Sequence, residues 1–139
     1  MLAFESDYKA VVAIQDELQS GNVDEAIEGL QVLNESMSLS SQREMRSHLR
    51  VLMTHIIKWN SQPNQRSTSW VRTIRNARIE IEEIQEAVPS ITDAVIERGW
   101  EKCFAYAVED AESEMQQECT VDRLTWQEVF DDEYVIPRK

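Results

Sequence analysis

Glycine, proline and cysteine are scarce in this sequence, and long apolar runs are absent. Its 139 residues include three glycines, three prolines and two cysteines, and the period-two alternation that is typical of strands does not occur. We therefore predict an all-α fold, a single-domain bundle of five or six helices over residues 1–139. No apolar run approaches the ~18 residues that a membrane-spanning helix requires, so we expect no membrane contact.

The two cysteines and the N-terminal residues bear on the compartment. Cys103 and Cys119 would lie ~24 Å apart if they share one helix, whereas a disulfide requires Cα atoms within ~7 Å of each other. We interpret both as small core residues in a reducing compartment. Residues 1–7 have neither the basic region nor the apolar core of a signal peptide. We therefore expect a cytoplasmic protein.

Two apolar stripes flank a polar segment in the middle of the chain. Apolar residues recur at steps of three and four over 45–59 and again over 70–88, which places each set on one side of a helix. Pro63 should end the first of these helices, and Ser69 is expected to cap the second. We predict that the two helices form a central antiparallel hairpin over about 41–88.

The first third of the chain predicts two further helices, over about 7–20 and 24–37, with Gly21 ending the first. Ser41 and Glu44 match a capping box, so the first helix of the hairpin is expected to begin there. These apolar residues are expected to mark the buried sides of the first two helices: Tyr8, Val11, Ile14, Leu18, Ala26, Leu30, Leu33 and Met37.

The last third predicts one long helix over about 91–118, with a possible kink at Gly99. Thr125 and Glu128 match another capping box, which should open a short last helix. The residues that follow are expected to lie over the bundle as a C-terminal strap, about 125–139.

Positive charge is concentrated in the hairpin. The formal net charge is −12, yet residues 43–79 contain eight bases and one acid, which leaves −19 for the rest of the chain. The eight bases are the candidate partner-binding residues: Arg43, Arg46, Arg50, Lys58, Arg66, Arg72, Arg75 and Arg78. They could contact nucleic acid, an acidic protein or a second copy of the chain, or they could pair internally with Glu97, Glu101, Asp110 or Glu114. Because the acidic remainder repels polyanions, we favour an acidic protein or a homo-oligomer, with nucleic acid as the alternative.

Groups that could support catalysis or metal binding are few. Glu44, His48 and His55 share one side of a helix, but ligands two turns apart cannot all reach one ion without another helix. No Glu-x-x-His pair and no cysteine cluster occurs. We favour a partly buried His55 that hydrogen-bonds within the bundle and a solvated His48. We therefore predict a non-catalytic interaction or adaptor protein with no cofactor and no metal; a metal-dependent enzyme is the less favoured alternative.

Two tryptophans flank the bend of the hairpin. We expect the Trp59 and Trp70 indoles to pack together and close the hairpin; the alternative is an aromatic recognition site among the surrounding bases. The candidate structural motif of the bend consists of His55, Trp59, Pro63, Ser69, Trp70 and Ile74.

The residues of the centre also match a known spacing. Leu-Arg-Val-Leu at 49–52, His-Ile-Ile-Lys-Trp at 55–59, Gln-Pro at 62–63 and Ser-Trp at 69–70 resemble a bacterial family called "domain of unknown function 29", which is abundant in cyanobacteria. The resemblance covers about half of the chain, and it implies a small all-helical bundle with no established activity. At 32–35 this chain has Val-Leu-Asn-Glu where the family usually has Glu-Glu-x-Glu, so any site formed by those acids would be broken here.

Overall fold

A computed structural model describes residues 7–137, which contain five α-helices and no strand. The helices are α1 (Asp7–Gln19), α2 (Val23–Ser61), α3 (Thr68–Ala87), α4 (Asp93–Arg98) and α5 (Trp100–Met115). A 3₁₀ turn, Pro63–Gln65, lies between α2 and α3, and a π-helical turn, Gln127–Asp131, follows α5. The all-α class and the central helical hairpin are therefore confirmed. None of the helices within residues 7–137 is both long and apolar enough to cross a bilayer.

The chain divides into two compact units, of which the first ends at Gln42 and the second begins at Arg43. The boundary falls within α2, so α1 and the first part of α2 form one unit and the remaining elements form the other. A single domain over the whole chain stays a prediction.

In the first unit, α1 and α2 are antiparallel neighbours. Gly21 makes the turn between them at a φ of 84°, which glycine adopts readily. Ile14 approaches Gly29 so closely that a Cβ at position 29 would lie 3.0 Å from the Ile14 side chain. The glycine therefore allows the close contact of the two helices. This contact buries a short row of residues: Ala10, Ile14, Ala26 and Leu33.

The expected buried sides of these two helices were therefore only partly right. Ile14, Ala26 and Leu33 are buried, as predicted. The prediction is wrong for five residues that are exposed: Tyr8, Val11, Leu18, Leu30 and Met37. The physical reason is that small residues bring the helices together along a narrow row, and the apolar arcs of both helices are wider than that row.

The predicted break before the hairpin is wrong, because α2 continues from Val23 to Ser61 without interruption. Ser41 is an interior residue of α2 and opens no helix. Gln42 donates a side-chain hydrogen bond to Ser38 Oγ at 3.4 Å, which is a contact across one helical turn. A capping box begins a helix only where the residues before it are not helical. Here residues 30–41 contain no glycine or proline that would end the helix, so α2 continues through Ser41.

Other helix ends partly follow the predictions. α2 ends at Ser61, just before Pro63, as predicted. The cap of α3 is Ser67, whose hydroxyl accepts from the Trp70 amide at 3.2 Å; the prediction of Ser69 as the cap is wrong, because Ser69 lies in the first turn. The predicted long helix over 91–118 is interrupted at Gly99, which separates α4 from α5. Thr92 caps α4 by accepting from the Val95 amide at 3.3 Å.

The core of the second unit is built on the C-terminal part of α2. Seven of its apolar residues are buried: Met45, Leu49, Leu52, Met53, Ile56, Ile57 and Trp59. They are joined in the same core by buried residues of the other helices, among them Ile74 and Ile81 of α3 and Ala107 and Ala111 of α5. Pairs of adjacent buried residues, at 52–53 and 56–57, widen the buried arc beyond a single stripe, so this part of α2 packs on more than one neighbour.

α2 and α5 lie side by side and run parallel. The thiol of Cys103 is 4.0 Å from the carbonyl oxygen of Arg46, and Ser61 Oγ accepts from the Thr120 amide, just beyond α5, at 3.1 Å. Residue numbers therefore increase in the same direction along both elements. This register places Arg43, Arg46 and Arg50 of α2 beside the first turns of α5, and Lys58 beside its last turn.

The C-terminal strap, described over residues 125–137, packs on the core of the second unit, to which it belongs. The predicted capping box is confirmed: Thr125 Oγ1 accepts from the Glu128 amide at 3.2 Å, and Glu128 Oε1 accepts from the Thr125 amide at 3.1 Å. It opens the π-helical turn, in which Val129 is fully buried. Further along, the Tyr134 ring meets the Trp59 ring edge to face, with centroids 5.5 Å apart.

The two tryptophans at the bend have different partners instead of the expected contact with each other. Trp59 is buried against Tyr134, whereas Trp70 is half-buried with the Lys58 ammonium 5.0 Å from its ring.

We predict that Trp59→Ala lowers the free energy of unfolding by about 3–5 kcal/mol, as truncation of a large buried aromatic does. Trp70→Ala is the matched control and should cost clearly less. Urea denaturation followed by circular dichroism measures both, and equal losses would contradict this assignment of the core.

Candidate interaction surface

Two of the eight predicted partner-binding bases form ion pairs with α5. Arg50 makes a two-point contact with the Asp110 carboxylate, in which Nη2 donates to Oδ1 at 2.8 Å. This contact holds the pKa of Asp110 below its usual range. Lys58 Nζ lies 3.6 Å from Glu114. Internal pairing, one of the three roles expected for the hairpin charge, thus occurs at two of the four acids named from the sequence.

Two further bases hold the strap and the bend. Arg66 Nε donates to the Trp59 carbonyl at 2.9 Å, and its guanidinium lies 4.7 Å from the Trp59 ring centroid. Arg78 Nε donates to the Val129 carbonyl at 2.8 Å and faces the Tyr134 ring. Partial burial lowers the pKa of Arg78, which stays cationic at neutral pH. Both guanidiniums therefore satisfy backbone carbonyls of the fold.

The remaining four bases, Arg43, Arg46, Arg72 and Arg75, are exposed. No ion pair joins them to an acid within residues 7–137. They do not form one patch. Arg75 lines a groove between α3 and the strap that also contains Glu82 and Glu133, whereas Arg43 and Arg46 line a groove between α2 and α5.

The second of these grooves has the stronger concentration of positive charge. It has a volume of about 470 Å³, and we call it the basic groove. Its lining contains four cationic side chains and no carboxylate: Arg43, Arg46, Arg50, Lys102, with Ser47, Gly99, Cys103 and Tyr106 between them. Arg43, Arg46 and Arg50 follow each other at steps of three and four, so they share one face of α2. The N-terminus of α5, at Gly99 and Lys102, adds the positive end of a helix dipole.

Lys102 was missed by reasoning from the sequence, because it lies outside the basic hairpin and close to Glu101 and Glu109. Lys102 reaches the groove because α2 and α5 pack in parallel, and the sequence pattern does not show how these two helices are aligned. Tyr106 was missed for the same reason; its ring lies 4.9 Å from the Arg50 guanidinium carbon.

Cys103 lies between these bases. Burial raises the pKa of its thiol, although Arg46, Arg50 and Lys102 act in the opposite direction. The thiol is therefore protonated at neutral pH, and it lacks the thiolate character of a nucleophilic cysteine. Cys103 and Cys119 are both free, as expected from their separation.

His55 lies in a smaller groove, of about 300 Å³, beside Asp110, Ser113 and Glu114. Its Nδ1 donates to the Val51 carbonyl at 2.9 Å. The expectation of a partly buried His55 with a hydrogen bond inside the bundle is thus confirmed. His48, which was expected to be solvated, is half-buried. No hydrogen bond in the described chain joins His55 to Ser113 as a base to a nucleophile. Among residues 7–137, no three metal-ligating side chains lie close enough to hold an ion.

The fold and the basic groove define a small all-α protein with a cationic surface between two parallel helices. A family model described as "Domain of unknown function DUF29" matches residues 4–135. The chain therefore belongs to this family, and the match extends well beyond the half of the chain on which the resemblance rests. No curated protein and no solved structure matches the chain.

Burial of His55 predicts a pH dependence of stability. Burial lowers the pKa of the folded imidazole below about 6.5, so below that pH the unfolded chain binds protons that the folded chain does not. Stability attributable to His55 is therefore lost as the pH falls from about 6.5 toward the lowered pKa. We expect His55→Gln to flatten this part of the curve in urea denaturation between pH 7.5 and 5.5. His48→Gln is the control that should leave the His55-dependent loss in place; an unchanged slope in His55→Gln would contradict the prediction.

Proposed function

We propose that the protein is a non-catalytic interaction module that binds an acidic segment of a partner protein in the basic groove. The observation that supports this most directly is the convergence of Arg43, Arg46, Arg50 and Lys102 on one groove whose lining has no carboxylate. We further propose that it acts in the cytoplasm, because a protein with two free thiols suits a reducing compartment.

The chemistry of the groove suits carboxylates. A guanidinium presents two parallel N–H donors that match the two oxygens of a carboxylate. Arg43 and Arg46 are exposed and available for this contact, while Asp110 fixes Arg50 in place at the edge of the groove. Ser47 and the Tyr106 hydroxyl add neutral donors. A short run of aspartates or glutamates can therefore find several donors at once.

The extent of the basic surface favours a protein ligand over nucleic acid. A nucleic-acid site generally follows a phosphate backbone with a continuous row of bases, whereas here Arg43 and Arg46 line one groove and Arg75 lines another. The rest of the chain is acidic, with a formal net charge of −12 overall. The acidic segment could also come from a second copy of this protein.

Charge reversal in the groove provides the test. We expect a fluorescein-labelled decapeptide of alternating glutamate and serine to bind the wild type and to lose at least tenfold in affinity to Arg43→Glu/Arg46→Glu. Arg72→Glu/Arg75→Glu changes the net charge equally at exposed positions outside the basic groove, so it should retain affinity within about threefold. Binding should weaken between 50 and 500 mM salt, because screening shortens the Debye length from above 10 Å to below 5 Å.

Three outcomes, from this titration, from a titration with nucleic acid and from sedimentation, decide between the alternatives. Equal losses in both double variants would contradict the groove as the site. Micromolar binding of RNA or DNA that is lost in Arg43→Glu/Arg46→Glu, with no peptide binding, would support nucleic acid instead. A dimer in sedimentation at low salt that dissociates in the same variant would identify the second copy as the source of the acids.

A further inference from the structure

The first unit leaves an unusually large part of its apolar surface open. Its buried row consists of only four residues. Seven large apolar side chains on α1 and the first part of α2 are exposed, with fractions between 44% and 78%: Tyr8, Val11, Leu18, Val23, Ile27, Leu30 and Met37. We call these seven residues the apolar face.

Their spacing places them together. On α1, Tyr8, Val11 and Leu18 lie at steps of three and seven; on α2, residues 23, 27, 30 and 37 lie at steps of four, three and seven. At 3.6 residues per turn, each set forms one stripe next to the buried row of its helix. Viewed from the N-terminus of each helix, both stripes lie clockwise of the buried row. Because the two helices are antiparallel, both stripes fall on the same side of the pair.

The size of the apolar face is that of an interface. Together the seven side chains expose on the order of 600 Å², at the upper end of the largest apolar patch on a typical monomer and close to one side of a standard protein–protein interface. Exposed apolar residues that are scattered singly need no explanation. A contiguous apolar face across two helices does need an explanation, because the free-energy cost of its exposure to water grows with its whole apolar area.

The charge around the face indicates what would cover it. Residues 1–42 contain eight acids and a single base, Lys9. The resulting formal charge of 1 − 8 = −7 disfavours a second copy of the same unit and favours a cationic partner.

We propose that the apolar face is a docking site for a cationic amphipathic helix of another protein. The apolar stripe of that helix would lie along the groove between α1 and α2, in the manner of a helix recognised at i, i+3, i+4 and i+7. Its lysines or arginines would be attracted by the net negative charge of residues 1–42, and Asp24, next to Val23 and one turn from Ile27, is the acid nearest the edge of the face. This surface is separate from the basic groove and does not depend on the function proposed for that groove.

Two synthetic helical peptides test the proposal on the full chain. Both have the same leucine stripe over about 18 residues; one has lysine and arginine on its polar side, and the other has glutamate. We expect the cationic peptide to bind with micromolar affinity in calorimetry and the anionic peptide to bind at least tenfold more weakly. Equal binding of both peptides would overturn the charge argument, and binding of neither would overturn the site.

Substitutions on one helix locate the surface. Ile27→Asp/Leu30→Asp places two charges in the apolar face at exposed positions, so circular dichroism should show an intact fold while the cationic peptide loses at least tenfold in affinity. Leu39→Asp is the matched control, since Leu39 is 51% exposed on α2 but lies on another side of the helix. An equal loss in Leu39→Asp would overturn the proposal. So would a wild-type dimer in sedimentation that Ile27→Asp/Leu30→Asp dissociates, because the occupant would then be a second copy.

Discussion

Burial of α2 between Met45 and Trp59 is the constraint on which the second unit depends. This segment has fully buried residues on adjacent positions, so it needs apolar partners on more than one side. α3, α5 and the strap supply them, and each brings its own part of the core into the same cluster. The buried polar residue of this stretch, Thr54, satisfies its hydroxyl by donating to the Arg50 carbonyl one turn earlier, at 2.7 Å. A segment buried to this extent leaves its charged residues at the edges, where they meet the neighbouring helices.

The bases at those edges divide into two functional kinds. Arg66 and Arg78 donate to backbone carbonyls and lie against aromatic rings. Each guanidinium thus supplies a hydrogen bond to a carbonyl near a helix end or in the strap, where backbone donors are few. Arg50 and Lys58 pair with acids of α5. The more exposed of these pairs, Arg50–Asp110, adds little stability, but both pairs fix the direction in which the side chains point. Four of the eight bases are therefore left for a partner, and two of them, Arg43 and Arg46, share the basic groove with Lys102.

The sequence predicts the helical elements well wherever a local signal decides them. Pro63 ends α2, Gly99 interrupts the helix before α5, and the capping box of Thr125 and Glu128 forms as expected. Local signals fail where two of them compete or where a signal is not needed: Ser67 takes the cap predicted for Ser69, and Ser41 stays inside a helix that nothing interrupts. The basic groove could be predicted only in part, because the register of α2 against α5 depends on packing between residues that are far apart in the chain. For the same reason, hydrophobic periodicity alone could not show that α1 buries Ile14 but exposes Tyr8 and Leu18.

The uneven charge of the chain acquires a physical meaning once the two units are distinguished. The first unit contains eight acids and one base over residues 1–42, and it exposes apolar side chains beside them. The second unit contains nearly all the bases, and its basic groove is lined by four cationic side chains and no carboxylate. Ligands suited to the two surfaces would differ in both sign and character: a cationic amphipathic helix buries apolar area and should resist salt, whereas an acidic segment held by charge alone should not. If both proposals hold, each surface binds a ligand that the other surface would not accept. A protein with two such surfaces can hold two different partners at once, as an adaptor must.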